Sequence, residues 1–117
     1  MRELLVEKFE KPKRTFWFEY GQCEMSVWEN KFGQTHRSHD LPAIVSTKGD
    51  KYWYKNGIYH RNNDEPAVIR ASGSKFWFKE GFLHRDDSMP AVIRSNGEME
   101  WWINGQRIKT NFQCENY

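Results

Sequence analysis

This chain of 117 residues has few of the features that mark membrane, disulfide-rich or metal-binding proteins. It contains two cysteines, Cys23 and Cys114, which stand far apart and lack the spacing of metal ligands. Such a pair predicts free thiols in a reducing cytosol rather than a disulfide framework. No apolar run approaches the length of a membrane span. Residues 1–10 are too charged for a signal peptide and predict a short first strand.

Net charge is also small. The formal charge is +2 and the sequence pI is near 8.5, which is too weak a basic excess to indicate a nucleic-acid binder. Aliphatic residues are few, whereas aromatic residues make up 16% of the chain, so a core built mainly of rings is expected. The length predicts a single domain over residues 1–117.

Familiar catalytic motifs are missing. The His-Arg-x-x-Asp triplets resemble a kinase catalytic loop in their letters, but no glycine-rich loop, strand lysine or metal-binding motif accompanies them. Equivalent histidines of neighbouring units would lie roughly 10 Å apart, too far to share one zinc ion at about 2 Å. We therefore predict a protein that is not an enzyme and holds no metal or cofactor.

What the sequence does contain is a unit that recurs along most of its length. The copy beginning at Gly57 reads GIYHRNNDEPAVIRASGSKFWFKE, and further copies begin at Gly33, Gly81 and, in part, Gly105. This constant spacing of the starting glycines indicates a repeat architecture. The recurring positions include Gly57, Gly81, Gly105, His60, His84, Asp64, Pro66 and Pro90.

The repeat divides the chain into three parts. Residues 33–109 hold three full repeats and a partial fourth, and residues 110–117 form a C-terminal tail. Residues 1–32 are predicted to be a degenerate N-terminal cap, in which Trp17 aligns with Trp77. Terminal units of a stack are expected to be atypical because they cap it.

Each unit carries two turn signals, which the middle copy shows at Asn56-Gly57 and Ser72-Gly73. Asn-Gly suits a type I′ hairpin turn because both residues accept positive φ. Short β-branched and aromatic runs lie between the turns, and no segment has helical spacing. The sequence therefore predicts an all-β protein, an antiparallel meander with one hairpin per repeat.

The segment WYKNGIYH from Trp53 to His60, followed by the turn at Ser72-Gly73, resembles the MORN repeat. That resemblance implies hairpins stacked into an extended, twisted sheet that serves as an interaction scaffold. The chain departs from the family where it continues as H-R-x-x-D-x-P-A or H-R-D-D-S-x-P-A instead of H-G-x-G. In this continuation it is similar to the divergent "HRDDGPA" repeats of small phage proteins, large-virus proteins and some bacterial proteins.

Strand alternation places a tryptophan column on one face together with lysines. These residues are Trp53, Trp77, Trp101, Lys51, Lys55, Lys75 and Lys79. Two interpretations are open. The indoles pack between neighbouring units with lysine stems over them, which we favour, or they form an exposed stripe that stacks on bases while the lysines bind phosphates.

The arginines form two further columns. The first contains Arg37, Arg61, Arg85 and Arg107, and the second contains Arg70 and Arg94, with Ser46 in the first copy. We favour a loop-closing network, in which each arginine pairs with an aspartate of its own or a neighbouring repeat and each histidine bonds a backbone carbonyl. The alternative is an arginine ladder that binds carboxylates or phosphates of a partner.

The expected function is protein–protein interaction, because a single-layer sheet needs a second layer that a partner or a second copy would supply. The resemblance implies a phage- or virus-type protein that binds a host protein and inhibits or redirects it. The expected location is the cytoplasm, and it is the cytoplasm of the host if a phage encodes the protein. Binding of nucleotides or single-stranded nucleic acid is the alternative. Attachment to lipid is disfavoured by the small net charge.

Overall fold

The computed structural model describes residues 11–18 and 23–112. Within these residues there are thirteen β-strands and no helix. The strands are β1 Arg14–Phe18, β2 Cys23–Val27, β3 Ile44–Ser46, β4 Lys51–Tyr52, β5 Tyr54–Lys55, β6 Ile58–Tyr59, β7 Val68–Ile69, β8 Lys75–Phe76, β9 Phe78–Lys79, β10 Phe82–Leu83, β11 Val92–Ile93, β12 Met99–Ile103 and β13 Gln106–Thr110. The expectations for residues 1–10 and for Cys114 fall outside the described part of the chain.

Nine strands form one sheet in the order β1-β2-β3-β4-β7-β8-β11-β12-β13. Every neighbouring pair in it is antiparallel. The sheet follows the chain, except that β5–β6 and β9–β10 form two-stranded ladders of their own. The predicted all-β, antiparallel and meander-like character is thus confirmed for the described residues.

Two of the aromatic strands are interrupted at a tryptophan, Trp53 in one and Trp77 in the other, which the sequence pattern did not predict. Strand β4 pairs within the large sheet, whereas β5 pairs with β6 in a separate hairpin. Between them Trp53 donates its backbone N–H to the Ala67 carbonyl and accepts from the N–H of His60. A second hairpin, β7–β8, turns at Gly73, so two hairpins rather than one fall within this unit of the sequence.

The hairpin tips have the backbone that their sequence requires. Asn56 and Gly57 have φ values of 50° and 90°, and Asn104 and Gly105 have values of 48° and 82°. Two consecutive positive φ values define a type I′ turn, which asparagine and glycine adopt at the least cost. Glu80 takes the same conformation without that advantage, with φ of 51°.

The core is a narrow band of side chains on the large sheet. Val27, Val68 and Val92 are buried on strands β2, β7 and β11. Tyr59 packs between Tyr54 and Phe78, with ring centroids 4.4 and 4.7 Å apart. Burial, together with a hydrogen bond to Tyr59, raises the pKa of the Tyr54 hydroxyl. Rings thus supply much of the burial that the few aliphatic residues cannot.

Candidate functional site

Three equivalent loops, residues 36–42, 60–66 and 84–90, each connect a hairpin to the next strand of the large sheet. Each contains two consecutive residues with positive φ, for example Asn63 at 62° and Asp64 at 55°. Asn and Asp tolerate this conformation better than other residues with side chains. The tight turn brings each loop over a tryptophan of the aromatic strands.

Arg61 closes the loop around Trp53. Its guanidinium carbon lies 3.8 Å from the centre of the Trp53 ring. The same side chain donates to both carboxylate oxygens of Asp40, at 2.9 and 3.2 Å, and to the Pro66 carbonyl at 3.1 Å. The Trp53 indole N–H donates to the Asp40 carbonyl at 3.1 Å. We call this arrangement of tryptophan, arginine and aspartate a junction, because it ties one loop to the preceding one.

The junction at Trp77 has the same contacts. Arg85 lies 3.9 Å from the ring centre and bonds both carboxylate oxygens of Asp64 at 2.9 and 3.2 Å. These hydrogen bonds hold the pKa of Asp64 below its usual value. In both junctions the tryptophan is 7% exposed, so Trp53 and Trp77 are packing residues with no ring face presented to a ligand.

The histidines connect each loop to the next hairpin tip. Nδ1 of His60 accepts the backbone N–H of Glu80 at 3.1 Å. The proton therefore resides on Nε2, which donates to the Asn62 side chain at 2.8 Å. His36 and His84 make the equivalent bonds to Asn56 and Asn104. The predicted bond from histidine to a backbone carbonyl is wrong, because the imidazole accepts from an N–H instead.

Trp28 is a junction residue that the repeat pattern did not reveal. The guanidinium carbon of Arg37 lies 3.8 Å from its ring centre, and its backbone N–H bonds Ala43 as Trp53 bonds Ala67. Trp28 stands one position out of the register that relates Trp53 to Trp77, because the first turn is longer by a single residue. Aligning this first unit with the later repeats, with one residue inserted after the tryptophan, would have matched Trp28 to Trp53.

The junction at Trp101 differs in three residues. Ile108, Lys109 and Ser88 occupy the positions that hold histidine, arginine and aspartate one period earlier. The Trp101 indole N–H still donates to the loop carbonyl, that of Ser88, at 3.0 Å. The Lys109 ammonium lies 4.6 Å from the Trp101 ring centre and cannot form a bidentate pair. Trp101 is consequently only partly buried.

A cleft of about 270 Å³ opens at the junction of Trp101. Three of its lining side chains are exposed and apolar, Met89 at 43%, Ile103 at 41% and Ile108 at 61%. The clefts at the other two loops, of about 310 and 150 Å³, are lined largely by the loops' own His, Arg, Asn and Asp side chains. The third cleft is therefore the most apolar of these three.

The hairpin tips carry the other exposed apolar residues. The N–H of Gly57 donates to the Thr35 carbonyl at 2.8 Å, and that of Gly81 donates to the Tyr59 carbonyl at 2.9 Å, so the tips stack in one column. We call Phe32, Ile58 and Phe82 the tip column; they are 76%, 42% and 59% exposed.

The second arginine column also makes internal ion pairs. Arg70 bonds Asp50 at 3.4 Å, and Arg94 bonds Glu100 at 2.7 Å. Burial alone would raise the pKa of Glu100, but hydrogen bonds from Arg94 and from the Trp102 indole outweigh it and lower that pKa. Neither Arg70 nor Arg94 is part of the cleft at Trp101.

The predicted site residues thus fall into separate groups. Lys51, Lys55, Lys75 and Lys79 are exposed, whereas two of the three tryptophans beside them are buried. Arg61 and Arg85 are committed to aspartates within the chain. The Trp, Lys and Arg side chains do not form one continuous binding surface of the kind that a base-stacking platform needs.

The described residues define an all-β protein with an antiparallel sheet and loop junctions along it. They contain no cluster of three or more His, Cys, Asp or Glu able to hold a metal ion. They also contain no helix long and apolar enough to cross a membrane. Comparison with known protein families, with curated proteins and with solved structures found no match to this chain.

Proposed function

We propose that the chain is a non-enzymatic protein–protein interaction module. The observation that carries this proposal is the distribution of exposed apolar residues. The tip column contributes Phe32, Ile58 and Phe82, and the cleft at Trp101 contributes Met89, Ile103 and Ile108. Clustered exposed apolar side chains rimmed by polar residues are typical of protein-binding surfaces.

The recurrence of contacts supports a repeat scaffold of the MORN-like kind. The arginine–tryptophan contact and the histidine–tip bond recur at equivalent positions of successive units. A scaffold of this kind uses its recurring residues to hold itself together and leaves its variable residues for partners. We propose on the same resemblance that the partner is a host protein that a small phage or viral protein inhibits or redirects.

Binding of nucleotides or single-stranded nucleic acid is the competing proposal. The exposed lysines still support it. Burial of Trp53 and Trp77 removes the stacking platform on which it depended. Binding through lysines alone would weaken steeply with salt.

Affinity capture separates the two proposals. The tagged chain is incubated with bacterial lysate, with and without nuclease, and bound material is identified by mass spectrometry. We expect one protein in fixed ratio that survives nuclease and a high-salt wash. Recovery of nucleic acid alone, or of proteins that nuclease removes, would overturn the interaction-module proposal. A monomeric chain that retains nothing would overturn both.

A further inference from the structure

The cleft at Trp101 differs in chemistry from the two clefts that precede it. No Asp or Glu is among the described residues that line it, whereas Asp40 or Asp64 lines each of the others. Lys109 and Arg85 both line it. Arg85 is already held by Asp64, with 10% of its side chain exposed. The exposed cation at the rim is therefore Lys109, for which no described carboxylate forms an ion pair.

The geometry of the last two strands explains how the apolar wall is presented. Trp101 pairs with Lys109 and Trp102 pairs with Arg107, so Ile108 is an extra residue in β13. A bulge of this kind redirects a side chain away from the regular alternation. Ile108 is 61% exposed, whereas the equivalent His84 is partly buried. The bulge thus turns an apolar side chain towards the cleft.

The size of the cleft limits its occupant. A volume of about 270 Å³ lies below the roughly 300 to 1,000 Å³ of small-molecule sites and suits a single large side chain. Met89, Ile103 and Ile108 favour an apolar side chain. Lys109 favours a carboxylate on the occupant next to that side chain, because a positive charge there would be repelled by the lysine.

We infer that this cleft is a docking site for a protein segment that presents one apolar side chain next to an acidic residue. The apolar side chain fills the space between Met89, Ile103 and Ile108, and the carboxylate pairs with Lys109. This inference rests on the proposed function, for which it names a site and the chemistry of the partner segment.

A second copy of this chain is a less suitable occupant. Pairing β13 with β13 in the register centred on Ile108 would place Arg107 of one copy opposite Lys109 of the other. Like charges directly opposite each other destabilise strand pairs. A nucleic-acid base is also unsuited, because Lys109 already lies over the Trp101 ring.

The test uses an array of heptapeptides and the purified chain. The central residue is leucine, phenylalanine, serine or lysine, and its neighbours are glutamate, glutamine or lysine. We expect binding to be strongest for leucine or phenylalanine flanked by glutamate. Changing the centre to serine, or glutamate to glutamine, should weaken it by about tenfold or more. No selective binding by the natural chain, or equal binding when serine is central, would overturn the inference.

Two variants locate the binding. Ser88→Asp with Lys109→Arg restores the residue types of the closed junctions and should abolish peptide binding. Ile108→Glu should do the same, and because this residue is 61% exposed, the change leaves the packing of the sheet intact. The matched control is Asp40→Ser with Arg61→Lys. It gives the Trp53 junction the serine and lysine that stand at Trp101 in place of aspartate and arginine. That control should leave binding at Trp101 intact. Undiminished binding by both of the first two variants would refute the site.

The closed variant also separates this inference from the proposed function. If Ser88→Asp with Lys109→Arg still captures the lysate partner while no peptide binds the natural chain, the interaction module stands and the cleft is not its site. If neither peptide nor partner binds the natural chain, both proposals fail.

Discussion

The junctions at Trp53 and Trp77 and the junction at Trp101 share the loop turn and the hydrogen bond from the indole to the loop, but different side chains lie over the ring. In the first two an arginine stacks on the indole and bonds an aspartate of the preceding loop in bidentate fashion. In the third a lysine lies over the ring and a serine replaces the aspartate. The loop turn and the indole hydrogen bond persist without the ion pair. What changes at Trp101 is the lining of the cleft, which has exposed apolar side chains and no described carboxylate.

The comparison also shows what a single arginine does at each closed junction. Its planar group covers the ring, binds two carboxylate oxygens and satisfies the Pro66 or Pro90 carbonyl. Lysine carries the same charge but lacks the flat, forked group that makes these contacts together. Replacing arginine with lysine is therefore enough to lose the paired bonds to aspartate and the bond to the proline carbonyl together.

The largest expected effect is on the tryptophans themselves. Trp77→Ala removes a side chain that is 7% exposed and leaves a cavity beneath Arg85, which should lower the free energy of unfolding by about 3 to 5 kcal/mol. Trp101→Ala removes a partly exposed ring and should cost less than about 2 kcal/mol. Urea unfolding followed by circular dichroism gives both values. Equal losses would mean that the two junctions do not differ in packing.

A smaller effect is expected when only the closing residue changes. Arg61→Lys keeps the charge over Trp53 but loses the paired bonds to Asp40 and the bond to Pro66. Because Asp40 is more than half exposed, solvent reduces the loss to about 1 to 2 kcal/mol. Lys109→Arg is the reverse exchange, made where position 88 is serine and no aspartate can pair with the new arginine. It should change the free energy of unfolding by less than about 0.5 kcal/mol. A large gain from Lys109→Arg alone would show that the aspartate is not needed.

The smallest effect is a dependence on pH. Hydrogen bonds from Arg85 lower the pKa of Asp64 from its ordinary 3.8. A carboxyl group with a lowered folded-state pKa stabilises the fold above its unfolded pKa, and this contribution is lost as the pH falls through the lowered value. Asp64→Asn should therefore melt below the natural chain at pH 7, and this difference should shrink as the pH falls through the lowered pKa of Asp64. Ser88→Asn, at the equivalent position, should show a melting difference that does not change with pH.

Much of the local structure could be predicted because it depends on neighbouring residues. Asn56-Gly57 and Asn104-Gly105 require positive φ, and the structure has it at all four residues. The interruption at Trp53 could not be predicted, because the run KYWYK alternates like one continuous strand. Trp53 bonds Ala67 through its N–H and His60 through its carbonyl, and Ala67 is brought there only by the fold.

The cleft at Trp101 was hidden for a similar reason. Ser88 and Lys109 belong to different repeats, and each looks like an ordinary variation when its own repeat is aligned. In the structure, the aspartate of each of the first two loops pairs with the arginine that follows one repeat later. Only this pairing shows that Ser88 and Lys109 replace the two partners of one ion pair. The pairing of arginine with the aspartate of a neighbouring repeat was among the interpretations favoured from sequence, but its stacking on tryptophan was not.

The most direct test of the difference between open and closed junctions is a double-mutant cycle on Ser88→Asp and Lys109→Arg, measured as free energies of unfolding in urea. We expect the two changes together to stabilise the chain by about 0.5 to 2 kcal/mol more than the sum of the single changes. A parallel cycle on Asp40→Ser and Arg61→Lys should return a coupling of the same size. Strict additivity at Ser88 and Lys109, with coupling present at Asp40 and Arg61, would contradict the claim that this ion pair is what the open junction lacks.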